Sequence, residues 1–195
     1  MILRRTVIFF ATANKHKIEE VQYSLKDYPL DFKHLDIKGF EIQSESVETI
    51  AKNSALRVAV DYKISVIVED TGLFIDALNG FPGPYAAYVY ETLGTRGILT
   101  LLGDDDRKAT FRSAVAFCDP SGRTACFVGE CFGHISTDKR GSYGFGFDPI
   151  FEPYNGVGET FAEMRLEEKS AISHRSRAMR KFADWYITRR SQSMQ

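Results

Sequence analysis

The fold of this chain follows from residues 7–25, which read VIFFATANKHKIEEVQYSL. The first five of these residues form a short, continuous apolar run, which is typical of a strand buried on both faces of a sheet. Asn14 is a favourable helix cap, and the apolar residues Ile18 and Val21 lie on one stripe of the helix that would follow. The stretch therefore predicts a buried strand that leads directly into an amphipathic helix.

The same alternation continues along the chain. The sequence predicts a strand near residues 32–37, a helix that begins after Ser46 and reaches residue 62, and an apolar strand at residues 64–68. Strand, helix, strand, helix and strand, in this order, is the pattern of an α/β fold.

The middle of the chain changes character at residues 80–84, GFPGP, a turn-rich stretch that neither a helix nor a strand interior tolerates. The elements predicted after it are helical pieces at 85–93 and 97–102 and a hairpin of strands at 111–117 and 124–128. We interpret this region, roughly residues 80–140, as a second lobe of a single domain that spans residues 1–195. The chain closes with a helical pattern at residues 167–190.

The composition limits the possible functions. With 195 residues, of which 44% are hydrophobic, the chain is long and apolar enough for one self-supporting core. Its 25 Lys and Arg residues and 26 Asp and Glu residues leave a net charge of −1, which excludes a general electrostatic attraction to nucleic acid or to membranes. Its 3 cysteines are too few for a disulfide framework. We therefore expect a cytoplasmic protein that binds neither nucleic acid nor a membrane.

The first candidate motif, TANKHK at residues 12–17, lies where the buried strand turns into a helix. Helix N-termini present unpaired N–H groups and the positive end of the helix dipole, so they suit anions such as phosphate. Thr12 and Asn14 add polar partners, and Lys17 adds a positive charge one turn into the helix. An ordinary helix cap with solvated lysines has the same pattern, so the residues alone leave both interpretations open.

The second motif, EDTG at residues 69–72, directly follows the predicted strand at residues 64–68. In α/β folds the carboxyl ends of strands open onto the ligand crevice. Asp70 can act there as a general base, and its carboxylate is a suitable ligand for Mg²⁺, with Glu41 as a candidate second ligand. A solvated Thr-Gly turn with no function is the alternative.

The third motif, GSYGFGFDP at residues 141–149, combines glycines with aromatic residues and suits close approach of the backbone to a flat ligand. Phe145 or Phe147 can stack on a base, and Asp148 can accept a hydrogen bond from a ring N–H. The alternative is an aromatic-packed turn that closes the sheet. A fourth motif, EKSAISHR at residues 168–175, supplies cations that can meet phosphates and base edges.

Taken together, the four motifs resemble the inosine triphosphate pyrophosphatase family, whose members hydrolyse non-standard purine nucleoside triphosphates to the monophosphate and diphosphate. All four occur in the family's order, and the resemblance spans nearly the whole chain. It implies an elongated mixed central β-sheet flanked by helices, with two lobes and a substrate cleft between them. It also implies a homodimer and Mg²⁺ as the cofactor.

The resemblance also implies roles for individual residues. Glu41 and Asp70 would hold the magnesium ion, with Glu45 as a competitor for the role of Glu41, and Asp70 would also accept the proton of the attacking water. Ala13 departs from the glycine or serine that relatives often carry. The residues implied in substrate binding are Thr12, Ala13, Asn14, Lys15, His16, Lys17, Lys52, Thr71, Phe145, Gly146, Phe147, Asp148, Lys169, His174 and Arg175.

Two other functions are consistent with parts of the sequence. A related pyrophosphatase for modified pyrimidine or methylated nucleotides would use a similar two-lobed scaffold. A nucleic-acid-binding module would instead use the basic helix at residues 175–190, and its affinity would fall steeply with salt. Replacement of Asp70 separates these functions, because only the enzymes need its carboxylate.

Overall fold

A computed structural model of the chain describes residues 7–37 and 42–192. Within these ranges, seven strands form one mixed sheet in the order β2-β1-β3-β5-β6-β7, and β4 pairs with β3. The strands are β1 (Val7–Ala11), β2 (Asp31–Leu35), β3 (Val66–Ile75), β4 (Pro82–Gly83), β5 (Lys108–Cys118), β6 (Thr124–Ile135) and β7 (Phe151–Pro153). The α-helices are α1 (Lys15–Ser24), α2 (Val47–Tyr62), α3 (Ala86–Leu102), α4 (Leu166–Ile172) and α5 (His174–Gln192). The predicted α/β class is confirmed.

The first strand and helix have the predicted form. β1 is parallel to both β2 and β3 and therefore lies inside the sheet. The side chain of Asn14 accepts hydrogen bonds from the backbone N–H groups of His16 and Lys17, which begins α1. Ser46 caps α2 in the same way, since its hydroxyl accepts from the backbone N–H of Thr49 at 3.1 Å.

The predicted turn at residues 69–72 is wrong, because β3 continues through it to Ile75. Residues 66–75 all pair antiparallel with β5, and this long ladder keeps the chain extended. The apolar run ends at Val68 because the parallel pairing with β1 also ends there. A Cβ atom at Gly72 would lie 2.8 Å from the carbonyl oxygen of Gly83, so glycine is needed for the close approach of β4.

The predicted helical pattern at residues 167–190 is divided into two helices. Ser173 has an extended backbone (φ −69°, ψ 154°), and its hydroxyl accepts a hydrogen bond from the backbone N–H of Ser176 at 3.3 Å. The serine therefore begins a new helix, α5, and places His174 and Arg175 in its first turn. The predicted break between two helical pieces in α3 is confirmed, because Gly94 has a non-helical backbone.

The core consists of three hydrophobic clusters. One lies between the sheet and helices α1 and α5, and a second lies under α2 on the opposite face. The third packs α3 against the far half of the sheet and includes Leu73 and Phe161. Leu73 and Phe161 lie outside residues 80–140, so this cluster does not coincide with the predicted second lobe. The boundaries of that lobe stay a prediction. In the described ranges, no helix is both long and apolar enough to cross a membrane.

Candidate active site

A cleft of about 640 Å³ opens where β1 ends. Its walls come from the β1–α1 junction, the middle of β3, the start of α3, the loop before β7 and the start of α5. The sequence-predicted residues that line it are Thr12, Ala13, Asn14, Lys15, Lys17, Asp70, Thr71, Phe145, Gly146, Phe147, Asp148, His174 and Arg175. All four motifs therefore contribute to one cleft, although they lie far apart in sequence.

The remaining predicted residues have different positions. Lys169 is buried behind the cleft wall, and the ring of His16 stacks on Phe145. Lys52 is on the exposed surface of α2 and is not among the residues that line the cleft. Glu45 is exposed as well, whereas Glu41 lies outside the described residues.

The β1–α1 junction presents a helix cap and two cations, Lys15 and Lys17, to the cleft. The hydroxyl of Thr12 accepts a hydrogen bond from the backbone N–H of Asn14 at 3.1 Å, which shapes the turn into the helix. The Lys17 ammonium group lies 2.9 Å from a carboxylate oxygen of Glu69 and donates to the Glu69 carbonyl oxygen at 3.1 Å. Lys17 is therefore oriented before any ligand binds.

Glu69 is a buried ionised anchor. Its carboxylate accepts hydrogen bonds from the hydroxyls of Ser113, at 2.5 Å, and Thr71, and lies 3.1 Å from the Nε of Arg175. Burial raises the pKa of Glu69, but Arg175 and Lys17 outweigh this effect and hold the pKa well below its usual range. The carboxylate is therefore charged at neutral pH.

Asp70 occupies a different position from its neighbour. Successive side chains of a strand point to opposite faces, so Asp70 and Glu69 leave β3 in different directions. Asp70 is half-buried and lines the cleft, where its carboxylate can reach a ligand. Of the two acids in the EDTG motif, Asp70 is the one placed for chemistry.

A chain of alternating charges lies behind the cleft. The Lys169 ammonium group donates to carboxylate oxygens of Glu20 and Asp148, each at 2.6 Å, and Arg175 pairs with the other oxygen of Glu20. Burial raises the pKa of Glu20, but Arg175 and Lys169 outweigh it and lower the pKa to about 2. Burial raises the pKa of Asp148 against the opposing effect of Lys169.

Sequence reasoning missed Glu20. The carboxylate comes from α1 and is 5% exposed, yet the sequence does not distinguish it from the exposed Glu19 beside it. It also missed Tyr90 of α3, which lines the cleft and makes an edge contact with Phe147 at 5.4 Å between ring centroids. The helical pattern at residues 85–93 placed Tyr90 on a helix but gave no signal that the helix forms a cleft wall.

His174 is a buried neutral group in the wall of the cleft. It is 2% exposed and stacks on Phe111 with 4.6 Å between ring centroids. Neither ring nitrogen has a hydrogen-bond partner among the described residues. Burial, assisted by Arg175 and Lys169, lowers the pKa of His174 well below 6.5. The neutral ring can donate one hydrogen bond and accept another from a ligand in the cleft.

The arrangement suits a nucleotide with bound divalent metal. One end of the cleft has N–H groups and a lysine for phosphates, and the other has aromatic rings and polar groups for a base. The described residues contain no group of three or more His, Cys, Asp or Glu side chains placed to hold a metal. Mg²⁺ does not need one, because it commonly binds one or two carboxylates together with substrate phosphates and water. Asp70 fits such a site.

The comparisons with known proteins agree with this geometry. The Ham1 family profile matches residues 8–185. The chain is similar to the dITP/XTP pyrophosphatase of Methanopyrus kandleri, with 49% identity over 180 residues, 92% of this chain and 95% of the relative. It is also similar to the dITP/XTP pyrophosphatase of Pyrobaculum aerophilum, with 45% identity over 183 residues, 93% of this chain and 97% of the relative.

Two solved structures have the same fold. The Staphylococcus aureus Ham1 protein superposes with a TM-score of 0.80 at 28% identity and covers 94% of this chain and 100% of its own. The nucleoside-triphosphatase, a dITP/XTP pyrophosphatase, of Mycobacterium abscessus gives a TM-score of 0.71 at 31% identity, covering 91% of this chain and 98% of its own. The resemblance based on the four motifs is thereby confirmed, and the chain belongs to the Ham1 family.

Proposed function

We propose that this protein hydrolyses non-canonical purine nucleoside triphosphates, such as dITP, ITP and XTP, to the nucleoside monophosphate and diphosphate. The observation that carries the proposal is the single cleft in which Lys17, Asp70, Asp148 and His174 meet. Relatives that share 42% to 49% of their sequence with this chain are named dITP/XTP pyrophosphatases, which supports the proposal.

The phosphate end of the cleft supports triphosphate binding. The positive end of the α1 dipole and the ammonium group of Lys17 can meet phosphate oxygens. Glu69 orients Lys17 and is itself neutralised by Arg175, so the anchor does not leave a net negative charge beside the phosphates. Thr71 extends the same wall with a hydroxyl group.

Asp70 is the proposed general base. Its carboxylate would take the proton of the water that attacks the α-phosphorus, and the diphosphate would leave toward Lys17. Asp70 would also hold a magnesium ion, together with Glu41, for which the alternative ligand is Glu45. When bound, magnesium supplies charge neutralisation to the phosphates and lowers the pKa of a bound water. The role of Lys52 beside the phosphates stays a prediction.

The base end of the cleft supports selection of purines with a 6-oxo group. This group accepts hydrogen bonds, whereas the 6-amino group of adenine donates them. The candidate donors to the oxo group are Arg175, which also contacts Glu20, Glu69 and Thr71, the ring N–H of His174, and backbone N–H groups of the loop before β7. Each mismatched donor costs about 1–3 kcal/mol, which is roughly 5- to 150-fold in selectivity.

A homodimer is part of the proposal. Several large apolar side chains at the start of α3 remain exposed, and Tyr88 is 67% exposed. Such residues are typical of surfaces that pack against another protein. Light scattering coupled to gel filtration tests this part, because a mass near that of one chain would contradict it.

A substrate panel tests the proposed activity. We expect diphosphate release from dITP, ITP and XTP in the presence of Mg²⁺, with much slower release from dATP and from modified pyrimidine or methylated nucleotides. Faster hydrolysis of a modified pyrimidine or methylated nucleotide would favour the related pyrophosphatase instead. Salt-sensitive oligonucleotide binding without any diphosphate release would favour the nucleic-acid-binding module.

A further inference from the structure

A pair of stacked rings connects α1 with the loop before β7. His16, in the first turn of α1, stacks on Phe145 of the loop before β7, with 5.2 Å between ring centroids and 14° between ring planes. The backbone N–H of His16 donates to the Asn14 side chain at 3.0 Å, which holds the start of the helix in place. We call the His16–Phe145 pair the latch.

Phe145 has close neighbours in addition to His16. The Lys169 ammonium group lies 5.3 Å from the centroid of its ring, and the Arg175 guanidinium carbon lies 5.4 Å from it. The backbone N–H of Phe145 donates to the Asp148 carboxylate at 2.8 Å. The aromatic ring is therefore held both by the buried charges and by the latch.

The stacking distance leaves no room for a purine between His16 and Phe145. Stacked planes lie about 3.5 Å apart, so a base between Phe145 and another group needs roughly 7 Å. His16, Lys169 and Arg175 all lie closer than this to the Phe145 ring centroid. A base that stacks on the face of Phe145 covered by His16 must therefore displace His16.

Of these neighbours, His16 is the one that can leave easily. Its side chain is 58% exposed, whereas those of Lys169 and Arg175 are 4% and 2% exposed and are held by ion pairs. Rotation of His16 into solvent breaks a single ring contact and leaves the buried charge network intact. The same rotation uncovers one face of Phe145.

We propose that His16 is a positioning residue that holds Phe145 closed in the empty cleft and releases it when a purine base binds. This inference rests on the proposed function, since it takes Phe145 as a surface for the base. It assigns His16 a role through Phe145 rather than a direct contact with substrate. Base binding must therefore overcome the free energy of about one aromatic contact.

Calorimetric titration tests the latch. The ligand is a deoxyinosine triphosphate with an imido group between the α and β phosphorus atoms, and inorganic tripolyphosphate serves as the ligand without a base. We expect His16→Ala to bind the imido analogue roughly 2- to 10-fold more tightly than the wild type, which is the size of one aromatic stacking contact. Its affinity for tripolyphosphate should change by less than about 2-fold, because tripolyphosphate has no base that must displace His16 from Phe145.

Two further variants separate the latch from a general effect on the helix. His16→Phe keeps an aromatic ring and should return the affinity for the imido analogue to within about 2-fold of the wild type. Gln22→Ala alters an exposed position on the same helix and should leave both affinities unchanged. Circular dichroism of all variants checks that α1 is intact.

The outcomes distinguish the latch from the proposed function. If the wild type releases diphosphate from dITP but His16→Ala binds the imido analogue more weakly or equally well, the latch is wrong and the proposed function stands. If His16→Ala changes the affinities for the imido analogue and for tripolyphosphate by the same factor, the latch is also wrong. If the wild type neither binds the analogue nor releases diphosphate, the proposed function fails, and the latch fails with it.

Discussion

Asp70 and Glu69 are adjacent acids with different environments. Glu69 is buried among cations and hydroxyls, whereas Asp70 faces the cleft. We predict that Asp70→Asn lowers the rate of diphosphate release from dITP by about 100-fold or more, which is the usual contribution of a general base. The substitution keeps the size of the side chain, so the thermal unfolding midpoint should change little.

The matched control for this variant is Asp61→Asn, on the exposed surface of α2. Asp61 pairs only with groups at the surface such as Arg57, and its replacement should leave diphosphate release close to that of the wild type. An active Asp70→Asn variant would contradict the assigned role of Asp70.

Glu20 should contribute more to stability than its neighbour in sequence. Glu20→Gln leaves the buried cations Lys169 and Arg175 without one carboxylate, and breaking a buried ion pair costs about 3–5 kcal/mol. The exposed Glu19→Gln should change the free energy of unfolding by less than about 1 kcal/mol. Urea denaturation at neutral pH measures both values, and equal effects would contradict the buried network.

Sequence alone predicts the cleft residues better than the groups that support them. Asp70, Lys17 and Arg175 belong to contiguous motifs, so their chemistry is visible in the order of residues. Glu20 has no such signal, because its partners come from α4 and α5 at the other end of the chain. A network between distant elements is a property of the fold, so residue spacing does not reveal it.

At the scale of elements, the conformation of the loop before β7 depends more on Gly144 than on Gly146. Gly144 and Gly146 both have positive φ, at 68° and 62°. A Cβ atom at Gly144 would lie 2.1 Å from the Asp148 carboxylate, whereas a Cβ at Gly146 meets no atom within 4 Å. We predict that Gly144→Ala displaces Asp148 and weakens dITP binding strongly.

Gly146→Ala is the matched variant for this loop. It introduces backbone strain of about 1 kcal/mol and no steric clash. The thermal midpoint should therefore fall much less than in Gly144→Ala. If the thermal midpoint falls further in Gly146→Ala than in Gly144→Ala, the contact with Asp148 is not what makes glycine necessary in this loop.

Local signals predict most elements, and long-range pairing determines the exceptions. Asn14 and Ser46 begin their helices because each cap acts within three residues. The extension of β3 past Val68 depends on β5, which begins only at Lys108, so the sequence around residues 69–72 does not contain the reason for the strand. Sequence reasoning therefore placed the acids at the correct crevice but on the wrong local structure.

At the scale of the whole molecule, buried charge predicts loss of stability in acid. The pKa of Glu20 is about 2 in the folded chain and about 4.5 when unfolded, so below pH 4.5 the unfolded state binds more protons. The pKa of His174 in the folded chain lies well below 6.5. As the pH falls, His174 is therefore protonated in the unfolded state before it is protonated in the folded state. The contributions of Glu20 and His174 should be complete above pH 6.5 and fall as the pH decreases toward 2, whereas the raised pKa of Asp148 acts in the opposite direction.

Urea denaturation between pH 7 and pH 3 measures this loss. The contribution of Glu20 alone is on the order of 3 kcal/mol across its full range, from the difference between its two pKa values. His174→Phe should remove the part of the slope nearest pH 6, and Glu20→Gln should remove part of the slope below pH 4.5. A free energy of unfolding that stays constant from pH 7 to pH 3 would contradict the low pKa values of Glu20 and His174.

A crystal structure of Asp70→Asn with dITP and Mg²⁺ tests most directly whether one cleft holds the entire nucleotide. We predict that the triphosphate lies at residues 12–17 and beside residue 70, and that the base lies against Phe145 within hydrogen-bonding distance of His174 and Asp148. A nucleotide bound elsewhere, or one whose base points away from Asp148 and His174, would contradict the account.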